Sequence, residues 1–89
     1  MTAARKITVT GTVQGVGFRW TAKRIAMAVG VAGWVRNNPD GSVTVALEGT
    51  DMEMDAFIDR LAEAMGGYMD CFDAKAAVPE GLVDFSIVR

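Results

Sequence analysis

The chain contains no histidine and only one cysteine, Cys71. Histidine is the side chain that most often serves as a general acid or base near neutral pH, so chemistry of that kind is disfavoured. A single cysteine excludes an internal disulfide and suits a reducing compartment, from which we expect a cytoplasmic protein. Cys71 also lacks an arginine at the spacing of a Cys-x5-Arg nucleophile loop. We therefore expect it to serve as a small apolar residue of a strand rather than as a nucleophile.

Long hydrophobic segments are missing as well. The longest apolar run, residues 25–35, lies between Arg24 and Arg36 and is interrupted by Gly30 and Gly33. It is much shorter than the roughly 20 residues that cross a membrane. The first residues contain no apolar stretch of the kind found in secretory signals. The sequence therefore predicts no membrane partner and no secretory leader.

Acidic residues are absent from the first 38 positions, which carry six basic residues. From Pro39 onward there are eleven acids and three bases, so the two halves carry +6 and −8 and give the net charge of −2. A basic first half is consistent with an anion site in that half. The alternative is that the two halves neutralise each other across the fold, and the charge distribution taken alone favours this alternative. The length of 89 residues and the 51% hydrophobic content predict one globular domain, residues 1–89, which we expect to be a free-standing monomer.

Hydrophobic periodicity predicts the first half of the fold. Apolar and polar residues alternate over residues 6–13, as in a strand that is buried on one face. Over residues 22–29 apolar side chains recur at helical spacing, and Gly30 follows as a helix stop. Residues 31–36 and 43–47 predict two strands, and the Asn-Asn-Pro-Asp-Gly sequence between them predicts a hairpin turn.

The same reasoning predicts the second half. Thr50 and Glu53 form a capping-box pattern in front of an apolar stripe, which predicts a helix over residues 51–65 that ends at two glycines. Two extended segments follow, residues 72–78 and 83–87. This order of elements fits a split βαβ arrangement in the α/β (α+β) class: an antiparallel sheet of four to five strands with two helices on one face.

Between the first strand and the first helix lies the loop Gln14-Gly15-Val16-Gly17-Phe18-Arg19, here called the cradle loop. Glycines adopt backbone angles that let successive N–H groups converge on an anion. The helix N-terminus behind the loop adds free N–H groups and the positive end of its dipole. The guanidinium of Arg19 can bind two oxygens of a phosphate or a carboxylate at once. The loop is therefore interpreted as a binding site for an anion of phosphate size.

Other nucleotide and nucleic-acid motifs fit this loop less well. A dinucleotide fingerprint would need glycine at the position of Trp20, and a P-loop would need Gly-Lys-Ser or Gly-Lys-Thr near Gly17. Residues 15–18 faintly resemble the glycine-aromatic motif of RNA-binding RRM domains. The glycines here lie in a loop, aromatic residues are few and the chain is acidic as a whole, so we expect no nucleic-acid partner.

Three acids, Asp51, Glu53 and Asp55, follow the spacing of a calcium-binding EF-hand loop. The pattern fails at Ala56, where that loop requires glycine. The positive end of a helix dipole is sufficient to explain acids in a first helical turn. We therefore expect neither a metal site nor a cofactor.

Two segments resemble a known family. Val13–Arg19 (VQGVGFR) and Gly30–Val43 (GVAGWVRNNPDGSV) closely resemble the acylphosphatase family, and the similarity is specific over residues 7–49. The resemblance implies a ferredoxin-like α/β sandwich and a hydrolase that cleaves the carboxyl–phosphate anhydride of acyl phosphates. The substrate would be a small-molecule acyl phosphate, with a carboxylate and inorganic phosphate as products. Phosphate would also inhibit competitively, and no cofactor is implied.

The resemblance also implies roles for individual residues. Arg19 matches the family's phosphate-binding arginine and Asn37 its water-positioning asparagine, which makes these two the candidate catalytic residues. The backbone amides of residues 14–18 would complete the phosphate site. Arg36 and Asn38 lie beside Asn37 but are given no catalytic role.

Other residues near the motifs receive weaker predictions. Trp20 and Trp34 flank the two motifs. We expect the main role of both side chains to be packing, and contact with the acyl group is the second interpretation. The stretch after the second helix departs from the family pattern and carries Asp70 and Asp73. The fourth strand is therefore the element with the least support from the sequence.

A second class of function stays open: a non-catalytic anion-binding or regulatory module that keeps the cradle loop. Such a module would use Arg19 but would have no need of a water-positioning amide. The presence of Asn37 therefore favours the enzyme.

Overall fold

The structure is a computed structural model that describes residues 2–88. It contains five strands and two helices. In chain order the elements are β1 (Ala3–Gly11), α1 (Phe18–Val29), β2 (Ala32–Asn37), β3 (Val43–Gly49), α2 (Asp51–Met65), a 3-10 turn (Gly66–Tyr68), β4 (Met69–Ala77) and β5 (Phe85–Val88). In this described part of the chain, no helix is long and apolar enough to span a bilayer.

The strands form one sheet in the order β4-β1-β3-β2-β5. β1 is antiparallel to β3 and β4, and β2 is antiparallel to β3. β1 and β2 therefore run in the same direction with β3 between them, which is the split βαβ arrangement that the sequence predicts. β5 lies parallel to β2, so the prediction of an antiparallel sheet is wrong for this pair. The cause is topological. β2 runs opposite to β4, and the chain reverses direction between β4 and β5, so β5 runs in the same direction as β2.

The core lies between the sheet and the two helices. Ile7 and Val9 of β1 and Val45 and Leu47 of β3 alternate along their strands and are fully buried. The helices cover them with the buried side chains Phe18, Ala22, Ala26, Met54, Phe57, Leu61 and Met65. Each fully buried Val, Leu, Ile, Phe or Met side chain among them stabilises the fold by roughly 1.5–3 kcal/mol. This shared apolar layer holds both helices on one face of the sheet.

The ends of the helices follow the sequence signals in all but one case. Gly30 follows α1 in a left-handed conformation with φ of 89°, which confirms the predicted stop. At the start of α2 the Thr50 hydroxyl accepts a hydrogen bond from the Glu53 N–H (3.1 Å), and the Glu53 carboxylate accepts one from the Thr50 N–H (2.9 Å). The capping box and the predicted bounds of α2 are confirmed. Gly66 keeps right-handed angles (φ −57°, ψ −31°), so α2 passes into the 3-10 turn instead of ending at a left-handed glycine.

β4 forms an edge of the sheet. It begins at Met69 and not at the predicted residue 72, because its pairing with β1 starts opposite Gly11. Its side chains are exposed along nearly the whole strand. Cys71 is among them: it lies in a strand, as expected, but its side chain is exposed and is not part of the core. Charged side chains such as Asp73 on an edge strand disfavour pairing with another chain.

The connection from β4 to β5, residues 78–84, is anchored by one carboxylate. Glu48 near the end of β3 is buried and accepts hydrogen bonds from the backbone N–H groups of Glu80, Gly81 and Leu82. These bonds, with the one from Glu80 as the largest cause, hold the pKa of the Glu48 carboxyl below its ordinary value. The connection crosses the end of the sheet at which β4 ends and β5 begins.

Candidate active site

The cradle loop, the end of β2 and the end of β5 meet at the other end of the sheet. β1, β2 and β5 run in the same direction, so their C-terminal ends lie together, and α1 begins there. They enclose a pocket of about 260 Å³. It is lined by Val13, Gly15, Gly17, Phe18, Arg19, Trp20, Asn37 and Ile87. The structure therefore brings Arg19 and Asn37, the two predicted catalytic residues, into one pocket.

The cradle loop has a backbone conformation that favours glycine. Gly15 and Gly17 both have φ of 78°, and a Cβ added at either would meet nothing within 4 Å. Glycine is therefore favoured here by the backbone angles, because left-handed angles cost an L-residue roughly 1–2 kcal/mol. Space for a side chain is available at both positions. Phe18, the next residue, is buried in the core and fixes the loop. Four of the six loop residues line the pocket, and the exceptions are Gln14 and Val16.

Arg19 supplies the positive charge of the pocket. It lies in the first turn of α1 and is half-buried. Within residues 2–88 its guanidinium forms no salt bridge, and no acidic residue of this range lines the pocket. A guanidinium without a carboxylate partner keeps its five N–H donors available for an anion.

Asn37 and Asn38 differ in what their side chains contact. Asn37 is the last residue of β2 and lines the pocket, and its Oδ1 is buried without a hydrogen-bond partner in the described part of the chain. The Asn38 side chain instead donates to Ser42 Oγ (2.9 Å) and Thr44 Oγ1 (2.8 Å). An unpaired buried amide oxygen is destabilising by roughly 1–3 kcal/mol, so a ligand or water that bonds to the Asn37 amide is favoured.

A hydrogen-bond network that the sequence reasoning missed joins the cradle loop to the hairpin turn. The Gln14 side-chain amide donates to the backbone carbonyls of Asn38 (2.7 Å) and Ser42 (2.9 Å). Asp40 accepts from the Ser42 hydroxyl (2.6 Å) and N–H (2.9 Å), which lowers the pKa of the Asp40 carboxyl. The signal was the cluster of Asn, Asp and Ser in the turn, because these side chains often bond to nearby backbone. The network positions the two motifs relative to each other.

Comparisons with known proteins agree on the family. The family model described as Acylphosphatase matches residues 5–87. The chain belongs to the acylphosphatase family. An acylphosphatase from Lactobacillus gasseri is 41% identical over 83 residues, which cover 90% of this chain and 91% of the relative. The crystal structure of acylphosphatase from Bacillus subtilis matches with a TM-score of 0.89 at 30% identity and covers 100% of both chains.

A third match comes from a much larger protein. The crystal structure of T. kodakarensis HypF matches with a TM-score of 0.86 at 31% identity and covers 98% of this chain but 12% of that chain. The relatives of similar length carry the functional assignment, and they show that this protein is an enzyme that hydrolyses acyl phosphates. The ferredoxin-like α+β fold expected from the resemblance to the acylphosphatase family is confirmed.

The two tryptophans have different environments in this acylphosphatase fold. Trp34 is half-buried, and Lys6 and Arg36 lie over its ring at 5.7 Å and 5.2 Å from the centroid. Trp20 lines the candidate active-site pocket and is 68% exposed. The expectation that Trp20 is a packing residue first is therefore wrong. Arg36 stacks on Trp34 and does not line the pocket.

The acids at the start of α2 bind other parts of the protein. Asp51 and Asp55 form salt bridges with Arg5 of β1 at 3.0 Å and 2.7 Å, and Glu53 belongs to the capping box. The structure contains no group of three or more metal-ligating side chains within residues 2–88. Arg5 thus links the basic and acidic halves of this acylphosphatase family member, as the alternative interpretation of the charge pattern expects. Arg19, the base that lines the pocket, forms no salt bridge within residues 2–88.

Proposed function

We propose that this enzyme hydrolyses acyl phosphates by in-line attack of water on phosphorus. Arg19 and the cradle-loop amides bind the phosphoryl group, and Asn37 positions the attacking water. The observation that carries this proposal is that the Arg19 guanidinium, which forms no salt bridge within residues 2–88, and the Asn37 amide, whose oxygen has no partner in that range, line the same pocket. The first suits an anion and the second suits a neutral nucleophile.

Phosphate binding follows from the charges around the cradle loop. The Arg19 guanidinium bonds to two phosphoryl oxygens in a fork geometry, which is stronger and more directional than a single contact. α1 begins at Phe18, so the positive end of its dipole and its free N–H groups lie at the loop. Negative charge that develops on the phosphoryl oxygens is stabilised by groups that are already in place.

Water activation in this proposal depends on position and not on a strong base. An attacking water directs its lone pair at phosphorus and donates its hydrogens to acceptors. Within residues 2–88 the buried oxygen of the Asn37 amide has no hydrogen-bond partner, and in this proposal the attacking water is that partner. Holding water and phosphorus in an attack geometry contributes much of the rate enhancement in phosphoryl transfer. The proton passes to a phosphoryl oxygen of the substrate itself.

The leaving group fits the residues that line the pocket. A carboxylate departs as a weak base and needs no proton from the enzyme. The chain has no histidine, and Arg19, the charged side chain of the pocket lining, does not act as a proton donor near neutral pH. We propose that no metal or other cofactor takes part, because the guanidinium and the amides together stabilise the charge.

Hydrolysis of acetyl phosphate by the purified protein tests the proposal. We expect turnover that is insensitive to EDTA and is inhibited competitively by inorganic phosphate. Arg19→Ala should lose both turnover and phosphate inhibition, and Asn37→Ala should lose turnover alone. A folded protein that binds phosphate without turnover above that of buffer would support the binding-only module instead.

A further inference from the structure

A second groove lies beside the active-site pocket. It has a volume of about 400 Å³ and is lined by Trp20, Lys23, Arg24, Met27 and Ile87. Trp20 and Ile87 line the candidate active-site pocket as well, so the groove adjoins that pocket at these two side chains. The groove lies between α1 and the edge strand β5.

The apolar part of this groove is not explained by packing of the core. Trp20 and Met27 are 68% and 70% exposed, although the exposure of large apolar side chains to water is unfavourable. Positions 20, 23, 24 and 27 recur at helical spacing, so they share one face of α1. Clustered exposed apolar side chains beside a site indicate a surface that a ligand covers.

The rim of the groove carries positive charge. Lys23 and Arg24 are exposed, and neither forms a salt bridge within the described range of residues 2–88. Both lie within two turns of Arg19 on α1, and Asn37 is not part of the groove lining. An occupant with a negative group beyond its apolar body would match this arrangement in both polarity and charge.

We propose that the groove is the subsite for the acyl group and selects aromatic acyl phosphates that carry a second anionic group. The inference rests on the proposed function, because in-line attack places the acyl group on the side of phosphorus opposite the water. With the phosphoryl group at Arg19 and the water at Asn37, the acyl group lies toward Trp20. Its ring packs on Trp20 and Met27, and its anionic group lies near Lys23 and Arg24.

Steady-state kinetics with three substrates test the subsite. Acetyl phosphate is too short to reach the groove, benzoyl phosphate reaches its apolar part, and 4-carboxybenzoyl phosphate also reaches its basic rim. In the wild type we expect kcat/KM to rise in this order. Trp20→Ala and Met27→Ala should each reduce the ratio of kcat/KM for benzoyl phosphate to that for acetyl phosphate, by about 3- to 10-fold. The loss should lie mainly in KM.

The charged rim is tested separately. The double variant Lys23→Ala/Arg24→Ala should reduce the ratio for 4-carboxybenzoyl to benzoyl phosphate, and added salt should weaken the wild-type preference in the same way. Met52→Ala and Arg60→Ala on α2 are matched controls, because both residues are exposed and lie outside the groove. Neither control should change any ratio.

The outcomes separate the two proposals. Equal losses on all three substrates, or unchanged ratios in the groove variants, would overturn the subsite while acetyl phosphate turnover still supports the proposed function. A change in molecular mass on Trp20→Ala with unchanged ratios would identify a second copy of the chain as the occupant and also overturn it. No turnover of any substrate by the folded wild type would overturn both proposals.

Discussion

At the scale of single residues, two neighbouring asparagines have different hydrogen-bond environments. The sequence motif points to Asn37, and the structure gives the physical distinction between it and Asn38. The Asn38 side chain is held by two hydroxyl acceptors, whereas the Asn37 Oδ1 has no partner within residues 2–88. A side chain that is already satisfied stabilises the turn, and one that is unsatisfied is available to a ligand.

Alanine at the two positions should therefore separate activity from stability. Asn37→Ala should lower kcat by about 10²-fold or more and leave the phosphate inhibition constant nearly unchanged. It should not lower the Tm, because it removes a buried oxygen that has no partner within residues 2–88. Asn38→Ala should lower stability by about 1–3 kcal/mol, because two hydroxyl groups lose their donor. Thermal unfolding and acetyl phosphate kinetics on both variants check this. A drop in Tm for Asn37→Ala equal to that for Asn38→Ala would contradict the assignment.

Arg19 provides a second test at this scale. Arg19→Ala should reduce kcat/KM by about 10²- to 10³-fold or more and abolish inhibition by phosphate. Arg19→Lys keeps the charge but loses the planar guanidinium that binds two oxygens at once, so its activity should lie between that of Arg19→Ala and that of the wild type. Arg60→Lys, which changes an exposed arginine of α2 that lines neither the pocket nor the groove, is the control and should leave acetyl phosphate kinetics within twofold. Full activity in Arg19→Lys would show that charge alone suffices.

At the scale of elements, the cradle loop depends on its backbone more than on its side chains. Gly15 has φ of 78° and open space around its missing Cβ, so Gly15→Ala tests conformation without a clash. Strain in the left-handed region should weaken phosphate binding and cost about 1–2 kcal/mol of stability. Gly67→Ala is the matched control, since Gly67 has open space and no left-handed angle, and it should be neutral or stabilising. Calorimetric phosphate affinity and the Tm, measured for Gly15→Ala and Gly67→Ala, check both expectations.

The elements near the motifs were predictable from the sequence because local signals fix them. The capping box of α2, the left-handed Gly30 and the hairpin turn each arise from residues close together in the chain. The direction of β5 was not predictable in the same way, since it depends on where the chain crosses to the far edge of the sheet. The exposure of Trp20 was missed for a similar reason. Helical spacing gives the face on which a residue lies but not whether another element covers that face.

At the scale of the whole molecule, the charges divide into those that hold the fold and those that surround the site. Arg5 joins β1 to α2 through two carboxylates, which lowers the repulsion within each half of the chain. Arg19, Lys23 and Arg24 have no such partner within residues 2–88. The basic first half therefore contributes to neutralisation through Arg5 and supplies the arginine of the candidate anion site, so the two interpretations of the charge pattern describe different residues.

Glu48 carries the pH dependence that the whole fold should show. Its pKa is lowered in the folded protein by hydrogen bonds from the backbone of the 78–84 connection. A group whose folded pKa is depressed stabilises the fold above its unfolded pKa, about 4.3 for glutamate, and this contribution is lost as the pH falls through the lower folded value. Glu48→Gln should therefore be less stable than the wild type at pH 7, and the difference should shrink as the pH falls below about 4.

Urea unfolding of the wild type and of Glu48→Gln at pH 7 and at pH 3 measures the difference in their free energies of unfolding. The two pH values compare the charged and the protonated form of the side chain that anchors the connection. Glu63→Gln on α2 is the control, since Glu63 is exposed and its neutralisation should leave the free energy of unfolding nearly unchanged. The 78–84 connection lies at the end of the sheet away from the pocket, so acetyl phosphate kinetics at pH 7 should be the same in both variants. A difference between Glu48→Gln and the wild type that persists unchanged at pH 3 would show that shape, and not charge, anchors the connection.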